Sequence, residues 1–188
     1  LTRAVRQATK RVTIQSPYLI LPEGGLALLE SLVKKGVEVR IVTNSLAATD
    51  NMQAISGYVN QRSEIIAAGI KVYEFKPDPA VRLELIERYP QLEKHSPIFA
   101  LHAKTLVIDG ETLYVGTFNL DPRSANLNTE VGVLLQSADL AWSVDDSIFR
   151  DMQPENSWNA ASNPDRHAPF TKRLEMQFWR ILPIKPLL

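Results

Sequence analysis

A strand, helix, strand rhythm that runs twice through the first 75 residues constrains this chain more than any other feature. Residues 12–16, Val-Thr-Ile-Gln-Ser, alternate and are β-branched, and Pro17 stops them because it cannot donate to a ladder. Gly24-Gly25 then opens a helix carrying Leu26, Leu28, Leu29, Leu32 and Val33, which Gly36 ends as a left-handed cap. Val37 to Thr43 alternates again as a strand. Residues 51–68 return to helical spacing through Met52, Ile55, Tyr58, Val59, Ile65 and Ile66, until Gly69 hands over to a short strand at Ile70–Phe75. Two such units in succession predict parallel strands joined by right-handed crossovers.

Beyond Lys76 the pattern weakens. Pro77, Pro79, Pro90 and Pro97 punctuate one helical stretch at Ala80–Tyr89, which reads as an excursion from the sheet. Residues 100–108 and 112–118 are apolar-rich runs around Asp109-Gly110-Glu111, a strong hairpin signal. One more strand at 130–136 and a helix at 138–152 complete an α/β fold, a mixed β-sheet flanked by helices. We assign residues 1–152 to this domain and 153–188 to an irregular extension. Its amphipathic tail, with Phe178, Trp179, Ile181, Leu182, Ile184, Leu187 and Leu188, packs on the domain or on a membrane. The chain begins at Leu1 inside an amphipathic pattern (Leu1, Val5, Ala8), as expected of a piece of a longer protein.

Composition narrows the chemistry. Lys plus Arg and Asp plus Glu are 21 each, so no bulk positive field favours nucleic acid as a partner. With no cysteine, thiolate nucleophiles, disulfides and cysteine-ligated metals are excluded, and three histidines remain for reactive work. No run approaches the ~18 apolar residues of a spanning helix.

His102 and Lys104 stand two apart on the 100–108 strand, so they project together from one face while Ala103 and Thr105 go the other way. An imidazole that titrates near neutrality can act as nucleophile or general acid/base, and an ammonium beside it can hold the anion under attack, for which phosphate is the natural choice. Asn119, past the end of the facing strand, can donate an amide to a phosphoryl oxygen. Glu130, at the start of the next strand, can orient the imidazole. Arg123 and Ser124 are phosphate-binding candidates, with a salt bridge or a helix cap as equal alternatives. His95 and His167 read as packed or solvated residues, and Asp139, Asp145, Asp146 and Asp151 as ordinary surface carboxylates.

The spacing H-x-K-x4-D-x6-G-[ST]-x-N, filled by His102, Lys104, Asp109, Gly116, Thr117 and Asn119, resembles the HKD signature of the phospholipase D superfamily. The run from Phe118 through Asp121, Arg123, Ser124, Asn126 and Asn128 to Glu130 resembles the block after the second such motif in bacterial cardiolipin synthase-like proteins. Ser16-Pro17-Tyr18, the stretch Leu26–Asp50 and Gly57-Tyr58 resemble their C-terminal half as well.

The resemblance implies a metal-independent phosphodiesterase or phosphatidyltransferase that needs no cofactor and acts on phospholipid at the cytoplasmic side of a bacterial inner membrane. Two motifs would meet at one site, one histidine forming a phosphohistidine and the other protonating the leaving alcohol. Lys104 and Asn119 would bind phosphoryl oxygens, Glu130 would orient His102, and Asp109 would be mainly structural while keeping a place in the catalytic set. His102, in what resembles the second motif, would be the general acid/base. Only one H-x-K is present, so the other half must come from a preceding segment or a second copy of the chain. A homodimeric single-motif nuclease and an inert phosphate-binding module are the alternatives.

Overall fold

The computed structural model describes residues 1–95 and 97–182. Among these residues a seven-stranded sheet has the order β6 (Gly132–Gln136), β5 (Thr112–Gly116), β4 (Thr105–Ile108), β1 (Arg11–Gln15), β2 (Glu38–Asn44), β3 (Lys71–Phe75), β7 (Ser157–Asn159). β1 (Arg11–Gln15), β2 (Glu38–Asn44) and β3 (Lys71–Phe75) run parallel, as the repeated rhythm predicts. α2 (Gly25–Lys34) and α3 (Met52–Ala67) connect them, and each is followed by a glycine at positive φ, Gly36 at 85° and Gly69 at 82°. The expected hairpin forms from β4 (Thr105–Ile108) and β5 (Thr112–Gly116), β4 lies antiparallel to β1, and β6 (Gly132–Gln136) extends the sheet beyond β5.

Alternate strand residues feed two cores. Val12, Ile14, Val39, Ile41 and Leu106 pack beneath α2, α3 and the short α1 (Thr2–Arg6), while Val42, Val107 and Leu113 pack against Ala141, Ile148 and Met152 of the α6 segment (Ala138–Asp151 and its cap). Such residues each add about 1.5–3 kcal/mol when fully buried, so burial on both faces accounts for the continuous apolar runs of the central strands.

The proline-punctuated excursion holds α4 (Arg82–Arg88) and a 3-10 turn at Pro90–His95. A second short helix, α5 (Pro122–Asn126), follows β5, with Asp121 as its N-cap. The segment after α6 joins the same body. β7 (Ser157–Asn159) pairs antiparallel with β3, and α7 (Phe170–Arg180) lies on α3, burying Met176. Arg62 of α3 donates two hydrogen bonds to Asp165, at 2.9 and 2.7 Å, and Tyr58 donates one to the buried Glu74 at 2.8 Å. Residues 184, 187 and 188 of the amphipathic tail lie outside the described residues.

Two sequence expectations need correction. The run at 100–108 is strand only from Thr105, so His102 and Lys104 precede the ladder rather than share a face of it. The reason lies in the neighbours: Gln15 is the last β1 residue to pair, opposite Thr105, before Pro17 turns the chain away. Two of the α6 carboxylates also differ from expectation. Asp145 is ion-paired with Arg11, and Asp151 is half-buried, accepting a 2.7 Å bond from Gln15, because α6 lies across the face of the sheet and both carboxylates reach the two ends of the central strand β1.

Candidate active site

The strand directions bring the motif residues to one edge of the sheet. The C-terminal ends of β1, β2 and β5 and the N-terminal ends of β4 and β6 meet there, and chain direction reverses between β1 and β4, the kind of switch point where open α/β sheets form crevices. His102 and Lys104 lead into β4, Thr117 to Asp121 follow β5, and Glu130 precedes β6.

Several contacts shape this edge. Buried Asn44, at the end of β2, accepts from the Leu101 N–H at 2.8 Å and donates to the Leu101 carbonyl at 3.0 Å, clipping the chain one residue before His102. The imidazole of His102 is exposed. Lys104 Nζ donates to the His102 carbonyl at 2.8 Å, so the ammonium curls back over the histidine's own backbone. The Gly116 N–H donates to the Lys104 carbonyl at 3.1 Å, the last cross-strand bond before the site.

Gly116 and Gly132 face each other across β5 and β6 under the ring of Tyr114. A Cβ at Gly116 would lie 2.2 Å from the Tyr114 hydroxyl and 2.6 Å from the Val131 carbonyl, so the motif glycine is there for close approach.

Asn119 is held by its backbone, whose N–H donates to Ser124 Oγ at 3.3 Å. The adjacent Leu120 N–H donates to Ser16 Oγ at 3.2 Å, and the Leu120 carbonyl accepts from Ile20. The buried side-chain oxygen of Asn119 has no hydrogen-bond partner, and a half-turn of the amide would put the NH2 group there instead. With its oxygen shut off from solvent here, the amide must open toward Lys104 before it can donate to a phosphoryl oxygen. Ser124 is thus a buried support for Asn119 and the cap is Asp121, while Arg123 is exposed and donates to Asn128 Oδ1 at 3.2 Å.

Glu130 accepts from the Thr117 hydroxyl and, at 3.1 Å, from Asn128. The Thr117 hydroxyl, with Ser124, Asn128 and the Lys104 charge, lowers the pKa of its carboxyl. Among the described residues no hydrogen bond links Glu130 to His102, so the orienting contact expected from sequence is not made here. Burial lowers the Lys104 ammonium pKa, against the upward pull of Glu130, Asp121 and Asp50.

Four residues to which the sequence assigned no role complete the edge. Tyr18 donates to Asp50 at 3.4 Å, and burial with that neighbouring charge raises its phenol. Lys172 of α7 donates to the Ala47 and Thr49 carbonyls at 2.9 and 2.8 Å, fixing the loop that carries Asp50. The fourth, Asn44, had a visible signal, a poor strand former ending an otherwise β-branched run.

Asp109 belongs elsewhere. It sits at the hairpin tip, at φ 56°, seven residues and roughly 20 Å from His102 if the chain is extended. Its carboxylate accepts from the Thr9, Lys10 and Arg11 N–H groups and the Thr9 hydroxyl at 2.8–2.9 Å, which leaves it no part in the chemistry at the other end. His167 stacks on Trp158 at 4.7 Å, a packing role, and the His95 side chain lies outside the described residues.

Fold and site together define a phospholipase D-like domain carrying one histidine–lysine motif. A family model described as cardiolipin synthase, PLD-like domain, matches residues 1–152, and the chain belongs to that family. Cardiolipin synthase C of Escherichia coli (strain K12) is 34% identical over 198 aligned residues, which cover 96% of this chain and 41% of that protein. The chain therefore spans less than half the length of this relative. Nuc from Salmonella typhimurium, a phospholipase D family member, superposes with a TM-score of 0.61 at 18% identity, covering 84% of this chain and 87% of that one. Phosphatidylserine synthase of Haemophilus influenzae Rd KW20 gives 0.67 at 15%, covering all of this chain and 43% of that one. At such identities the two structures establish the shared fold.

Proposed function

We propose that this chain supplies one half of the active site of a phosphatidyltransferase that acts on phospholipid, with His102 as general acid/base. The observation that carries the reading is the meeting, at one sheet edge, of an exposed imidazole, the Lys104 ammonium and the Asn119 amide, whose buried oxygen has no partner. In the proposed sequence a histidine of the other half attacks phosphorus. A P–N bond forms, the P–O bond to the leaving alcohol breaks, and His102 gives its proton to that oxygen. An acceptor hydroxyl then attacks the phosphohistidine, its proton passes to His102, and the P–N bond breaks. Lys104 and Asn119 hold the charge that develops on the phosphoryl oxygens. Only protons and the phosphatidyl group move, so the scheme calls on no metal or redox cofactor.

Two features support the need for another half. Lys104 shares its surroundings with Glu130, Asp121 and Asp50, so a dianionic transition state requires further positive charge from outside the chain. Every residue of the edge strand β6 is exposed, including Val133 at 55% and Leu134 at 50%, as suits a strand that a partner covers. The partner we favour is the remaining length of a longer protein that carries a second motif, since this chain covers only 41% of its relative, with a second copy of this chain as the other source.

The outward stripe of α7, Phe170, Leu174, Phe178 and Ile181, is exposed beside Arg173 and Arg180. It supports peripheral contact with an anionic membrane surface. Sedimentation with phosphatidylglycerol vesicles should fall about tenfold in F178D; equal binding would remove this part of the reading.

The test of the whole is turnover of phosphatidylglycerol by the complete protein, with H102A as control. Loss of about 10³-fold at unchanged folding is expected, and unchanged turnover overturns the catalytic role.

A further inference from the structure

Beside the motif residues lies a cavity of about 290 Å³ that the proposed chemistry does not use. Its walls are mostly apolar, with Val5 of α1, Ile14 of β1, Leu28 of α2, Leu106 of β4, and Phe118 and Leu120, while Thr2, Arg6 and Glu23 stand among the lining residues as its polar part. The last two flank Asn119 in the chain. The cavity is continuous in its walls with a narrow crevice at Lys104, because Ile14, Leu106, Phe118 and Leu120 line both. An apolar chamber thus opens next to the ammonium and amide assigned to the phosphate.

We propose that this cavity receives an acyl chain of the phospholipid whose phosphate Lys104 and Asn119 hold, an inference that rests on the transferase reading. A group of methylene size takes a volume comparable with a water molecule's ~30 Å³, so the chamber holds roughly ten of them. Apolar walls gain when an apolar ligand covers them, and a chain leaving the phosphate by way of Phe118 and Leu120 would enter the chamber directly. Each methylene that enters should strengthen binding about fourfold, so affinity should climb with chain length and level off once the chamber is full.

Leu28, half-buried on α2 and away from the motif residues, is the place to test this. In the complete protein, L28W should lower kcat/KM for dihexanoyl-phosphatidylglycerol at least tenfold, and leave turnover of the chainless diester glycerophosphoglycerol within twofold. L28A should extend the chain length at which kcat/KM levels off. A parallel titration compares decyl phosphate with inorganic phosphate: the wild type should prefer decyl phosphate, and L28W should lose that preference without weakening inorganic phosphate.

The inference is overturned if L28W lowers both turnovers together. It is equally overturned if L28W alters neither lipid turnover nor decyl phosphate binding while changing the melting temperature, which would mean that protein fills the chamber. If the wild type transfers no lipid yet binds decyl phosphate in a Leu28-dependent way, the cavity assignment stands and the transferase reading falls.

Discussion

Replacing Asp109 by Asn separates a structural motif residue from a catalytic one. The side chain accepts four hydrogen bonds, Oδ1 from the Lys10 and Arg11 N–H groups and Oδ2 from the Thr9 N–H and hydroxyl. Burial tends to raise this carboxyl, but the Arg11, Thr9 and Lys10 N–H bonds outweigh it and leave the pKa below the ordinary 3.8. Asn tolerates the left-handed conformation at φ 56° as Asp does, so the backbone is spared.

The change turns one oxygen into an NH2 group that faces two donors. Bonds to a charged group are worth about 1.5–3 kcal/mol, and water competes at this exposed tip, so the loss is about 2 kcal/mol. For a chain of this size that lowers Tm by about 4–8 °C. The sign with pH follows from the lowered pKa: the contribution is full above the ordinary value of 3.8 and lost as pH falls through the folded-state value. Thermal melts at pH 7 should therefore separate wild type and D109N, and melts well below 3.8 should bring them together, while lipid turnover measured far below either Tm stays within a factor of two. A hundredfold or larger loss of turnover at unchanged Tm would refute the reasoning.

Gly116→Ala should lower activity at least tenfold and stability by about 1–3 kcal/mol, since the Val131 carbonyl 2.6 Å from the new Cβ is backbone and cannot swing away; chemical denaturation and lipid turnover read both. Asn44→Ala removes both clips on Leu101 and should cost about 2 kcal/mol of stability and slow turnover about tenfold, with phosphate affinity less affected, as titration would show. Burial raises Asp151 to about 6 against the pull of Gln15, so the folded state keeps a proton that the unfolded state has lost, and stability falls as pH rises from about 4 to 6. Asp151→Asn should then raise stability by about 1–2 kcal/mol at pH 8, below the ~3 kcal/mol ceiling of the shift, and the gain should vanish below pH 3.8; a variant less stable at pH 8 would contradict this.

Glycine and periodicity made most of the fold legible. Gly36, Gly69 and Asp109-Gly110 stand where helices or the hairpin must turn, and the alternation of β2 has its physical origin in a strand packed against neighbours. The true start of β4 was not legible, because whether residues 100–104 pair depends on Pro17 bending β1 away some 85 residues earlier in the chain. β7 was missed because it is three residues long and is strand only through its pairing with Tyr73, Glu74 and Phe75.

At the site, spacing gathered His102, Lys104, Asn119 and Glu130 at one edge without the ladder it assumed. What Glu130 contacts could not be read from spacing, since Thr117 and Asn128, both in loops, take its oxygens. The supports from Asn44 and Lys172 arise from contacts of 57 and about 125 residues' separation, which no local pattern encodes.

The role of His102 as proton donor to a leaving oxygen is tested most directly by leaving-group dependence in the complete protein. With H102A, turnover of phosphatidylglycerol, whose alcohol departs only when protonated, should fall by about 10²–10⁴. The first-turnover release of p-nitrophenol from bis(p-nitrophenyl) phosphate, which needs no such proton, should fall less than tenfold. An equal fall for both substrates would contradict the proton-donor role, and no fall in either would contradict a catalytic histidine at this position.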